Sequence, residues 1–319
     1  MVKKSIHYIT FFLFLFSVLP IYSGKKHRVK NKTLTFSGKD YTLKLRARKW
    51  KRGELVLVKI RRKPNARQFS LKQSKLFWRK KNIPLNSLGE TYIGFIALDP
   101  NMSRGVHKLR FLSLHKDNRY KDTFSVPIEN NYKKTSKKKK SKITRLKFKK
   151  KYKPKKRYSK KTMAFITKCL KHRKRALQSK AKFRINQKGF YFPLRKIYIT
   201  SRYNAWRRYS KRKAKPHKGV DFRGKIGTRI YSIAAGKVVL SRRMFFEGIF
   251  TIINHGANIY SFYMHQSKTR VRPGQIVSKG QYIGKVGATG RVTGPHLHLG
   301  LLVDGVFVNP LSAIHLKVN

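Results

Sequence analysis

The chain has a single cysteine, Cys169, in 319 residues. That excludes an internal disulfide and any zinc site built from thiolates. Acid is scarce too: ten Asp and Glu stand against 80 Lys and Arg, a formal net charge of +70. A biased genome enriches lysine but does not strip out acids, so the imbalance reads as selection for a basic surface. Such a surface attracts polyanions, whether nucleic acid, anionic lipid headgroups or anionic wall polymers. Apolar runs long enough to cross a membrane are also missing. The stretch Ile9–Ile21 would rise only about 20 Å as a helix, against roughly 30 Å of bilayer core. What the chain does have is apolar and aromatic residue, 40% and 13%. This argues against disorder and suffices for the cores of about two domains.

Lys3 and Lys4 precede that short apolar stretch, and the small pair Ser23-Gly24 follows it. This order reads as a secretory signal peptide over residues 1–23, with an uncleaved anchor as the alternative. No cysteine stands near the cleavage point, so there is no lipoprotein signature. The expected location is the periplasm or cell envelope, or outside the cell. Export turns the reading of the charge away from specific nucleic-acid binding.

Residues 31–130 alternate in short strands, such as Tyr41-Thr42-Leu43-Lys44-Leu45 and Leu55-Val56-Leu57-Val58-Lys59-Ile60, broken by Gly38, Gly53, Gly89 and Gly105. This spacing predicts an antiparallel β-sandwich-like module, read as a spacer or binding unit. Residues 132–161 hold eighteen Lys or Arg in thirty positions. Like charges repel and there is little to bury, so an extended linker is expected, able to tether anionic envelope polymers or lipid headgroups. Residues 162–188 form a connecting segment in which Met163, Ile166, Leu170 and Leu177 fall on one helical face. From 189 to 316 strands and turns return, with Asp304-Gly305 marking a two-residue hairpin. The fold class expected is therefore mainly β: sandwich, basic linker with a helix, and a C-terminal antiparallel β domain, as a monomer.

This last domain contains six of the eleven histidines and three acids, Asp221, Glu247 and Asp304. Asp304 belongs to its hairpin and Glu247 adjoins a predicted turn, which leaves Asp221 as the carboxylate candidate. It lies in His217-Lys218-Gly219-Val220-Asp221. Downstream stands His296-Leu297-His298, and alternate residues of a strand share a face about 7 Å apart. If His298 binds a metal, His296 is poised over the open position. Two imidazoles and a carboxylate suit zinc and leave a place for water. A neighbouring histidine could move that water's proton, and His265 could supply a second such group or an oxyanion contact. Tyr203 and Tyr209 are further oxyanion candidates, while His255, in an Asn-His-Gly turn, reads as structural.

Over residues 190–312 the sequence resembles the lysostaphin-type (LytM-type) zinc endopeptidases of bacterial cell walls. The resemblance rests on His217–Asp221, the following Gly227–Val239, Tyr263-Met264-His265, Val271–Gln275, Lys279-Gly280-Gln281 and Thr289–His298. It implies that His217, Asp221 and His298 bind Zn²⁺ and that His296 and His265 are catalytic. The implied activity is hydrolysis of peptide bonds in peptidoglycan stem peptides or cross-bridges. The alternative is a non-catalytic wall-binding or hydrolase-activating protein on the same fold. Three departures stand out. Asn204 occupies a turn position where glycine is usual, Gln266 replaces Leu, and Leu299-Gly300-Leu301 replaces an aromatic-acid pair. The last two are expected to reshape the groove.

Overall fold

A computed structural model of the chain describes residues 31–66, 69–115, 118–129, 144–145, 158–183, 185, 189–210 and 213–318. The expected signal peptide, and the basic linker apart from residues 144–145 and 158–161, lie outside them. Among the described residues no helix is long and apolar enough to cross a membrane.

The N-terminal part comprises β1 (Lys32–Ser37), β2 (Tyr41–Ala47), β3 (Leu55–Arg62), β4 (Phe69–Trp78), β5 (Lys81–Ile83), β6 (Asn86–Leu88), β7 (Thr91–Ala97), β8 (Gly105–His115) and β9 (Asn118–Ile128). They form two antiparallel sheets, ordered β1-β2-β3-β7-β6 and β5-β4-β8-β9. Side chains alternate across a strand, so β3 sends Val56, Val58 and Ile60 into the sandwich and Leu55 and Leu57 the other way. Those outward residues, with Ile93, Phe95 and Ala97 of β7, enter the core of the C-terminal half. The near-continuous apolar run of β3 is thus explained by burial on both faces.

After a short β10 (Thr144–Arg145), α1 (Lys160–Leu177) begins at Ser159, whose Oγ accepts the Thr162 N–H at 3.3 Å. The apolar face expected for this helix needs correction. Ile166 and, partly buried, Leu177 pack inward as expected, joined by Cys169 and Ala176, against Leu240, Met244 and Phe245, whereas Met163 and Leu170 are 45% and 50% exposed. The inward stripe thus keeps Ile166 and Leu177 and has Cys169 and Ala176 in place of Met163 and Leu170.

The C-terminal half contains β11 (Ile199–Ser201), β12 (Trp206–Ser210), β13 (Lys213–Pro216), β14 (Val220–Arg223), β15 (Arg229–Tyr231), β16 (Gly236–Met244), β17 (Gly248–Asn254), β18 (Ile259–Thr269), β19 (Ile276–Val277), β20 (Tyr282–Val286), β21 (His296–Val303), β22 (Val306–Val308) and α2 (Pro310–Ile314). Ten of these strands make one sheet whose main path is β11-β14-β21-β18-β17-β16-β19. Nearly every pairing in the molecule is antiparallel, so the mainly β class read from the sequence holds. Asp304, with φ 47°, and Gly305 turn the predicted hairpin between β21 and β22.

The two halves are also joined by hydrogen bonds. Leu55 N–H donates to Ser312 Oγ at 3.0 Å, and Asn309 N–H donates to Gly53 O at 2.7 Å. Gly53 has φ 83°, and a Cβ there would sit 2.6 Å from the Tyr203 ring.

Candidate metal centre

Three adjacent elements deliver the central residues. Asp221 on β14 lies opposite His298 on β21, and His298 lies opposite Met264 on β18. His217 ends the β12–β13 hairpin, where its N–H donates to Ala205 O while Asn204 N–H donates back to His217 O. The hairpin begins at Asn204 with φ 63°, a conformation Asn tolerates better than most residues. Gly219 is required for close approach, since a Cβ there would stand 2.4 Å from Leu299 O and 2.7 Å from the His298 ring.

The ring nitrogen His217 Nε2 is 2.9 Å from His298 Nδ1 and 3.1 Å from Asp221 Oδ1, and His298 Nδ1 is 2.9 Å from the same oxygen. All three residues are buried. His217 donates Nδ1–H to Arg202 O at 3.0 Å, which fixes its tautomer and leaves Nε2 as a lone-pair donor to the centre. Two imidazoles, one carboxylate oxygen and no thiolate make the donor set that zinc accepts. Burial alone would raise the Asp221 carboxyl. The hydrogen bonds and charges of His217 and His298 outweigh it and hold the group far below the usual carboxylate range. Burial lowers the His298 imidazole, as it does His265, where the neighbouring His296 and His298 add to the effect.

His265 and His296 flank this triad. Their ring centroids are 5.0 Å apart, and His265 is 6.2 Å from the His298 ring. His265 donates Nδ1–H to Thr289 O at 3.0 Å and His296 donates Nδ1–H to Gly294 O at 2.9 Å, so each keeps Nε2 free. His296 Nε2 lies 3.7 Å from Asp221 Oδ2. His265 sits at φ 66° in an irregularity of β18, its N–H held by Glu247 O at 2.9 Å. Backbone strain of this kind gathers at functional sites. The structure therefore brings together all five residues singled out in the sequence.

The other readings divide. Tyr203 donates its hydroxyl to Phe307 O at 2.8 Å, so it serves the fold rather than an oxyanion. The Tyr209 side chain lies outside the described part. Gln266 does not shape a groove: it is fully buried and donates to Thr251 Oγ1 and Tyr263 O at 2.8 and 3.0 Å. Leu299 and Leu301 likewise belong to the core. His255 is structural, with its ring nitrogens engaged by Ala235 O and Ser261 Oγ, both at 2.8 Å. One contact was absent from the sequence reading altogether. Arg207 on β12 donates Nη2–H to Asp221 Oδ2, with the two side chains only 12% and 8% exposed.

Residues 215–310 match the family described as peptidase family M23. This part of the chain is an M23 peptidase domain. Over 98 residues the chain is 48% identical to the peptidoglycan DD-endopeptidase ShyA of Vibrio cholerae, covering 31% of this chain and 23% of that protein. It is 39% identical over 125 residues to ShyB of the same organism, covering 38% and 29%. The matched stretch thus spans about a quarter of these curated relatives. A crystal structure of a candidate M23 peptidase from Pseudomonas aeruginosa superposes with a TM-score of 0.57 at 23% identity, over 84% of this chain and 96% of that one. That likeness extends the shared fold beyond the M23 domain into the N-terminal sandwich.

Proposed function

We propose that the chain is an exported zinc endopeptidase that hydrolyses peptide bonds in peptidoglycan. The observation that carries this is the convergence of His217 Nε2, Asp221 Oδ1 and His298 Nδ1, flanked by two histidines with free Nε2 atoms. In this reading His217, Asp221 and His298 are the metal ligands. A zinc ion held there would lower the pKa of water toward about 7 and polarise the scissile carbonyl. His296 accepts the proton of the attacking water at Nε2, its ring held in place through Nδ1, and passes it to the leaving amine. His265, its Nδ1–H held by Thr289 O and its ring kept neutral by burial, offers Nε2 as a second proton acceptor beside His296.

Peptidoglycan as substrate is supported by the relatives named DD-endopeptidases. Export is supported by the basic and apolar order of residues 1–24. In this scheme residues 1–23 are the signal, 31–130 the sandwich module, 132–161 a tether to anionic envelope polymers, 162–188 the connecting segment and 189–316 the catalytic domain of a monomer.

The test is incubation of purified sacculi with the mature protein. New peptide ends are expected from wild type with zinc, none after chelation or from His217→Ala, and about 10²–10⁴-fold fewer from His296→Ala with its zinc retained. Wall binding by wild type without new ends at any zinc level would instead identify a non-catalytic wall-binding protein.

A further inference from the structure

We propose that Arg207 is a positioning residue that makes Asp221 a one-oxygen ligand. The inference rests on the zinc reading above and adds to it a residue outside the ligand and histidine set. The two carboxylate oxygens of Asp221 have different surroundings. Oδ1 faces the ligand nitrogens, at 3.1 Å from His217 Nε2 and 2.9 Å from His298 Nδ1. Oδ2 receives the Arg207 guanidinium and otherwise faces His296 Nε2, at 3.7 Å, rather than the ligand nitrogens.

The fold gives Arg207 little choice of position. It pairs with Lys215 across the β12–β13 hairpin, two residues before His217, and the hairpin is closed by the Ala205–His217 hydrogen bond. The segment that ends in one ligand therefore carries the arginine that orients another. With both side chains mostly buried, the pair is poorly screened and its geometry is held firmly.

The chemical consequence concerns the number of places left around the ion. A carboxylate that binds through both oxygens fills a position that water or a substrate carbonyl needs. A guanidinium on Oδ2 opposes that second bond and leaves three protein donors, the number characteristic of catalytic rather than structural zinc sites. Arg207 also sets the carboxylate plane, as outer-shell partners of metal ligands do. Neutral glutamine could hydrogen-bond Oδ2 but would not hold it by charge. Lysine keeps the charge and loses the planar fork.

The experiment compares full-length wild type, Arg207→Gln and Arg207→Lys, each with matched circular dichroism. Zinc affinity is measured by competition with a chromophoric chelator, and coordination number by the visible absorption of the cobalt-substituted protein. Arg207→Gln is expected to lose roughly 10–100-fold in zinc affinity, with cobalt bands weakened toward a higher-coordinate pattern. Arg207→Lys should fall between it and wild type. Unchanged affinity and an unchanged cobalt spectrum in Arg207→Gln would overturn the proposal while leaving the zinc reading intact. Tighter zinc binding or faster wall cleavage would also overturn it, since the arginine would then be a block on the site. If wild type takes up no zinc, the underlying reading fails and the proposal with it. Should Arg207→Gln not fold, Arg207→Lys decides alone: weaker affinity with an altered spectrum supports the role, and wild-type values overturn it.

Discussion

With three acids in the C-terminal half, each carboxylate has a separate task. Asp221 gathers two histidines and an arginine, Glu247 pairs with Arg173 at 3.2 Å, and Asp304 accepts from Asn258 Nδ2 at 3.0 Å in its hairpin. The buried histidines differ in the same way. His255 is fully enclosed, and burial pushes its imidazole down from 6.5 to about 4. The unfolded chain therefore takes up a proton before the folded one does. Stability from this residue should be intact above pH 6.5, decline between there and about pH 4, and amount to roughly 3 kcal/mol. Urea unfolding across this pH range checks it. His255→Gln should be less stable at pH 7 yet lose less on acidification. At this scale the sequence was most informative where residues were rare. Asp221 stood out because few acids compete with it, and His296 and His298 because strand alternation puts them on one face. Arg207 was invisible, since one cation among 80 has no contrast.

Between neighbouring strands, register does the positioning. Asp221 meets His298 because β14 and β21 pair at those residues, and the turn before β14 must pass beneath the His298 ring. Gly219→Ala would put a methyl group 2.4 Å from Leu299 O and 2.7 Å from the ring. We expect it to displace His298 and weaken zinc binding by at least about tenfold, consistent with a shift costing 1.4 kcal/mol or more. Chelator competition would detect this, and wild-type affinity would show that the turn can yield. The turns and hairpins of this half were legible from Gly, Asn and Asp. The inward stripe of α1 was legible only in Ile166 and Leu177, because periodicity favours large apolar side chains and the packed face is completed by Cys169 and Ala176. Likewise the departures at Gln266 and Leu299-Gly300-Leu301 face the interior, which a sequence does not state when both faces of a strand are apolar.

Across the whole molecule, the sandwich and the M23 domain share a layer. Leu57 is fully buried and belongs to the C-terminal core although it lies on an N-terminal strand. Leu57→Ala should cost about 2–5 kcal/mol and should lower both halves together. Urea unfolding followed by the fluorescence of Trp50 and Trp78 and by zinc release is expected to give one coincident, shifted transition. Two separate transitions would show independent halves. The sequence revealed a strand at β3 and its unusual apolar content, but nothing local says which neighbour covers the second face.

The double burial of β3 has a consequence for how the chain can change. Val56 reports to one interior and Leu57 to the other, one peptide bond apart. Inserting or deleting a single residue within β3 would exchange the two sets, sending sandwich side chains toward the catalytic half and the reverse. Substitution can adjust each interior on its own, whereas a change of length in this strand rewrites both at once.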